Sequence, residues 1–204
     1  MKTGKSAAVV LALAFFCSAS FAWVMTTEFK SEIAKKEAAV AANPTSPDAH
    51  FDLAITYAYT NKIQEGLDQL KKTADLAGDK TAYARKLIER YYPMVSKTPS
   101  DWRTRFRLAF AYYFGGYQEY ALQEMRNIAA LEPGIPWPWG YMAIIYAEQN
   151  KWNEAIDHMK KAISIDSNVA AFHLGLGQGY YKVNRPAAGF AETMEALRLK
   201  ALGY

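Results

Sequence analysis

Cysteine occurs once in the 204 residues, at Cys17, and histidine three times. Such a chain has no disulfide framework and no thiolate metal site. Also missing are H-E-x-x-H, a cysteine–histidine cluster, G-x-x-x-x-G-K-[ST] and a G-x-S-x-G nucleophile elbow. "GLGQGYY" (175–181) has the glycines of a phosphate loop but lies inside a helical stretch with no strand before it. Glu154 and Asp157 read as solvated helix carboxylates. No catalytic residue, metal ligand or cofactor is expected, and the chain is not read as an enzyme. An Asn-x-Ser/Thr acceptor is absent too, because Pro44 blocks "NPT" at Asn43, and this favours a bacterial envelope over a eukaryotic secretory route.

A large charge of one sign is lacking. The net charge is +4, and two of the cations, Lys2 and Lys5, stand at the extreme N-terminus, which leaves too little to argue for a nucleic-acid binder. The cations are unevenly spread. Lys80, Arg85, Lys86, Arg90, Lys97, Arg103, Arg105 and Arg107 face only Glu89 and Asp101 in that stretch. A solvated helix face explains them most simply; a rim for an acidic partner or anionic lipid heads is the sharper reading.

The N-terminus runs from two lysines through an apolar core at 7–16 to the small residues of "CSASFA". This order is that of a secretory signal, with Ser20 and Ala22 at a cleavage site. The rival is an uncleaved anchor, since no charge appears between Lys5 and Glu28. The apolar core is short for a span, so cleavage is favoured. Cys17 follows Phe15–Phe16, which departs from the small residue that precedes a lipidated cysteine. Residues 1–22 are therefore expected to be a signal peptide or anchor and the remainder to face outward. The expected location is the periplasm or another extracytoplasmic site, with the inner membrane holding the chain if the segment stays on.

What is abundant is aromatic side chains and a period. Shifting the sequence by 34 residues aligns segments beginning at Trp102, Pro136 and Ala170, and a fourth begins at Pro47. Each reads as helix, turn, helix. The pairs Leu53–Ala54, Leu108–Ala109, Met142–Ala143 and Leu176–Gly177 set a large residue beside a small one, and Tyr57, Tyr112, Tyr146 and Tyr180 follow three residues later on the same face. In the second helices Gly66, Ala121, Ala155 and Gly189 allow a close crossing, with Leu70, Met125, Met159 and Thr193 one turn on. Pro133 closes its repeat. Between the first two repeats, "TAYARKLIERYYP" puts Tyr83, Leu87 and Tyr91 at i, i+4, i+8, which predicts an extra helix stopped by Pro93. "VSKTPSD" reads as a loop with Ser100 or Asp101 as N-cap. Upstream, a helix is expected from about Thr27 to Ala42, with Glu32–Lys36 at i, i+4. It either packs on the first repeat or forms a stalk.

These positions resemble the tetratricopeptide repeat, with Thr73, Thr193 and Ser167 as departures from its pattern. The resemblance implies an all-α, helix-turn-helix solenoid of about four repeats with an extra helix after the first. The segments are 23–46 as N-terminal helix or linker, 47–80 as repeat 1, 81–101 as extra helix and loop, then 102–135, 136–169 and 170–204 as repeats 2 to 4. In "IPWPWGYMAIIY" (135–146), Trp139 and Tyr146 then belong to the core. His50 and His173 share the position of Trp139 and read as packing residues, while His158 stands alone on a second helix.

The resemblance also implies a concave groove lined by the first helices. Carried over by position, its partner-binding residues are Phe51, Tyr59, Arg103, Phe106, Phe110, Tyr113, Phe114, Trp137, Tyr181 and Lys182. The expected function is a non-catalytic adaptor whose partner is a protein or peptide segment with apolar anchors and acidic flanks meeting Arg103, Arg105 and Arg107. The alternatives are self-assembly through the same aromatic face, and a glycan or small-molecule accessory role through the tryptophans.

Overall fold

The computed structural model describes residues 25–203, so the segment read as signal or anchor, 1–22, lies outside the described residues. Ten helices and no strand occur among them: α1 (Thr27–Ala42), α2 (Pro47–Ala58), α3 (Ile63–Ala77), α4 (Lys80–Lys97), α5 (Trp102–Phe114), α6 (Gln118–Leu131), α7 (Trp137–Glu148), α8 (Trp152–Ile165), α9 (Ala170–Lys182) and α10 (Pro186–Ala201). The chain is an all-α solenoid of helix-turn-helix pairs. Side-chain caps start four of the helices. Thr26, Ser46, Asp79 and Asp101 accept from backbone N–H groups of the turn that follows each, and Pro47 occupies a first-turn position where its missing N–H costs nothing.

The turn inside each pair repeats as faithfully as the helices. Asn61, Gly116, Asn150 and Asn184 adopt φ of 60°, 82°, 60° and 57°. Asparagine and glycine enter this left-handed region most readily. The next backbone N–H then reaches back to the carbonyl of the recurring tyrosine, from Lys62 to Tyr57, Tyr117 to Tyr112, Lys151 to Tyr146 and Arg185 to Tyr180, at 2.8–3.2 Å. Beyond the turns the small residues let backbones meet. A Cβ on Gly177 would stand 3.0 Å from the Gly189 carbonyl oxygen, and one on Gly189 equally close to that of Gly177. The departures Thr73 and Thr193 are absorbed locally, each hydroxyl donating to the carbonyl four residues back.

Three expectations about the N-terminal part change. Pro93 does not stop α4, which continues to Lys97 and takes in the start of the expected loop. The proline stands in the last turns on the exposed side, and the buried Tyr91 and Val95 hold the helix on either side of it. The 27–42 helix is no stalk: Ile33 packs on Leu53 and Tyr57 of α2. Glu32 and Lys36 do not pair with each other either. Glu32 turns to Arg103 and Arg107 of α5, and Lys36 to Asp52 of α2 at 2.6 Å.

The inserted α4 decides the global arrangement. It runs along α5, taking the place that the second helix of repeat 1 occupies in an uninterrupted array, and α3 barely touches it. Tyr83 and Tyr91 of α4 donate to Asp48 and Asp52 of α2, both at 2.7 Å. The α2–α3 hairpin is thereby swung onto the inner face of the repeats that follow.

Candidate functional site

The inner face is where the groove was expected, and the hairpin fills its first half. Ile63, Leu67 and Leu70 of α3 face Phe110, Tyr113, Tyr141 and Ile144 across an apolar cavity of about 100 Å³. The Tyr141 hydroxyl donates to the Ala58 carbonyl at the end of α2, 2.9 Å away. Ile63, Leu67 and Leu70 recur at i, i+4, i+7, so one stripe of α3 faces the solenoid.

This overturns most of the expected contact surface. Phe51, Tyr59, Phe106 and Trp137 are fully buried, and Phe110 and Phe114 nearly so. Tyr59 meets Trp102 and Phe106 edge-on with centroids 5.2 and 5.5 Å apart, Phe106 stacks on Phe110 at 5.6 Å, and Tyr141 abuts both. Phe114 is closed in by Phe51 and by Tyr83 of α4. Trp137, singled out as a contact residue, lies against Phe172 at 5.3 Å over Gly140, where a Cβ would collide with that ring at 2.5 Å. Trp139 and Tyr146 are half-buried and flank His158, at 5.7 and 4.8 Å. Tyr113 is half-buried and donates to Glu148. Only Tyr181 and Lys182 are exposed, the lysine amine standing over the Trp152 ring. The aromatic face is thus internal packing, closed by the hairpin over Phe106 and Phe110, by Phe51 and Tyr83 over Phe114 and by Phe172 over Trp137, not a free docking face.

The arginines are also engaged. Arg105 pairs with Glu124 at 2.6 Å and donates to the Pro99 carbonyl. Arg103 reaches Glu28 and Glu32, and Arg107 is buried between Glu32 and Asp52 at 3.2 and 3.4 Å. Acidic flanks of a partner would have to displace these carboxylates, so the expected charge match at Arg103, Arg105 and Arg107 is withdrawn. Burial acts most strongly on Asp52 and would raise its carboxyl, but Arg107 and Lys36 outweigh it and hold it below the usual carboxylate range. Burial pushes the Tyr59 hydroxyl up to about 12, so it stays protonated and donates to Glu32.

His50 and His173 do more than fill space. Each ring ties its own helix to the second helix and to the preceding loop: His50 to Gln69 (2.6 Å) and the Pro44 carbonyl (2.9 Å), His173 to Glu192 (2.7 Å) and the Ser167 carbonyl (3.0 Å). Both rings have their nitrogens occupied in brackets that recur with the repeat.

What remains open is the second half of the groove. Past the end of the hairpin a cleft of about 400 Å³ separates α3 from α9 and α10, with Ile63, Leu67, Leu174 and Leu197 as apolar walls and Gln64, Glu65, Thr193 and Lys200 as polar ones. It continues over Ile144, Gly175 and Gln178 onto α7 and α9. Leu67, Ile144, Leu174 and Leu197 are each about half exposed there. A contiguous apolar lining in a concave surface is the usual form of a binding site.

Comparison with known proteins agrees with this architecture. Residues 144–184 match a family model described as TPR repeat. Among solved structures, MamA 41-end from Desulfovibrio magneticus RS-1 aligns with a TM-score of 0.57 at 15% identity, covering 87% of this chain and 98% of the other. TTC0263, a thermophilic TPR protein in Thermus thermophilus, aligns with a TM-score of 0.53 at 20% identity, covering 84% and 82%. No curated protein matches the sequence.

Proposed function

We propose that this chain of tetratricopeptide repeats is an adaptor that receives an amphipathic helix of another protein in the open half of its groove, beside α3. Protein-interaction scaffolding is the general role that the repeats support; the site and the form of the ligand are our reading. The observation that carries it is α3. The groove already holds one helix through aliphatic residues at i, i+4, i+7, and the same lining continues past that helix with no occupant among the described residues. The partner chemistry is therefore that of α3, a helix with leucine- or isoleucine-type anchors on one stripe. No acidic flank is required, since Arg103, Arg105 and Arg107 are paired internally and are not among the residues lining the cleft.

The test is a selection of helical peptides from a display library on the purified chain. Enriched peptides should carry aliphatic residues at i, i+4, i+7. Leu174→Glu should weaken them by about 2 kcal/mol, or about thirtyfold, while the helical circular dichroism is kept. Leu174 is 42% exposed, so the change leaves the core alone. Peptides that bind the variant as tightly as the parent would sink the groove assignment.

We further propose that the adaptor works outside the bacterial inner membrane. The n-, h- and c-region order of residues 1–22 supports it. Alkaline phosphatase fused after Tyr204, which folds only in an oxidising compartment, should be active in cells. Activity that persists when residues 1–22 are deleted would remove the basis for export.

A further inference from the structure

The outer face of α10 is apolar, and no other element covers it among the described residues. Here Phe190, Met194 and Leu197 are 61%, 48% and 55% exposed. With Ala187 and Ala201, also exposed, they are spaced 3, 4, 3 and 4 residues apart. Such spacing draws one continuous stripe along the helix and fits the side of a second helix. The stripe lies opposite the buried Gly189, Ala196 and Leu199, which seat α10 on α9.

We infer that this stripe is an isologous dimer interface, in which α10 pairs antiparallel with α10 of a second copy about a two-fold axis at Met194. The order of side chains argues for self-pairing. Small, large, methionine, large, small is nearly symmetric about Met194, so reversing the helix superposes the stripe on itself. Phe190 then meets the other copy's Leu197, Met194 meets its equivalent, and the alanines at each end allow close approach. Charge selects the antiparallel sense. A parallel pair would gather Arg198 and Lys200 of both copies at one end with helix dipoles aligned. The antiparallel pair sets Arg198 near the other copy's Ala191 and opposes the dipoles. Arg198 is in addition held by Glu195 on its own helix, at 2.6 and 2.7 Å.

One helix face buries less than the ~1,200 Å² of a standard stable interface, so the dimer is weak and forms with rising concentration. The face is distinct from the groove except at Leu197, which borders both. The pair therefore leaves two open clefts on one particle, a bivalent arrangement.

Sedimentation velocity of the full chain over a concentration series tests this. The parent should pass from monomer to dimer, and Met194→Glu should raise the dissociation constant at least about a hundredfold by facing two carboxylates across the axis. Met194→Lys should do the same. Mixing the two variants should restore a dimer, because only a two-fold at this residue sets the new charges against each other. A parent that is monomeric throughout overturns the inference, as does a dimer indifferent to Met194→Glu or two variants that stay apart when mixed. A monomeric parent that binds vesicles of anionic phospholipid, and loses them with Met194→Glu, would assign the stripe to a membrane surface instead.

Discussion

Trp137→Ala is expected to destabilise the fold by about 3–5 kcal/mol, measured as the shift in a urea unfolding midpoint at constant slope. Trp137 is among the largest of the fully buried side chains. It begins α7, is roofed by Phe172 of α9, and shares the space that Gly140 leaves free. Removing the indole opens a cavity between two successive repeats, and close-packed surroundings relax into such a space only in part. Trp139→Ala, two residues on, should cost only about 1–2 kcal/mol. Its ring is half-buried and packs against the flexible Lys161 and the ring of His158. A smaller loss for Trp137→Ala than for Trp139→Ala would contradict the burial described here.

Those two tryptophans also mark the boundary of what the sequence reveals. The period, the helix pairs and the packing tyrosines follow from local regularities, because each repeat must bury the same stripe against a like neighbour. The turns carry a further signal: asparagine or glycine at 61, 116, 150 and 184 is the mark of a left-handed residue after each first helix. Which face of a first helix is open is a different kind of question. The assignment of Trp137, Phe106 and Phe110 to a groove carried the face over by position and left open whether the N-terminal or the extra helix covers it; the α2–α3 hairpin closes over Phe106 and Phe110, and Phe172 of the next repeat closes over Trp137. The insert could be seen in the sequence as surplus residues, but where it would send the hairpin depends on contacts such as that from Tyr141 to Ala58, 83 residues apart. The local rule failed likewise for Glu32 and Lys36, whose spacing suggested a pair within α1. The stronger partners, Arg107 and Asp52, come from other helices.

That cluster carries the second large effect. Arg107→Met should cost about 3–5 kcal/mol, because it leaves Glu32 and Asp52 without the guanidinium they share. The structure says where the damage appears first. α1 buries only Ile33 outright, so its attachment to α5 rests heavily on Glu32 meeting Arg103 and Arg107. Amide hydrogen exchange should therefore speed up across 27–42 before the rest of the chain loosens. The pH dependence follows from Asp52. In the parent its folded carboxyl sits below the unfolded value, so it contributes stability above that unfolded value and loses it as pH falls through the folded one. Without Arg107 the carboxyl rises, with only Lys36 and Tyr91 left to oppose burial, and protonating it relieves the variant. The gap between parent and Arg107→Met should thus be widest near neutral pH and narrow in acid. Neutralising the acids in the same chain, with Glu32→Gln and Asp52→Asn, should recover most of the lost stability, since a buried cluster removed whole costs far less than one left half complete. If the triple variant is no more stable than Arg107→Met alone, the loss comes from the arginine's packing, and α1 is held by something other than this charge cluster.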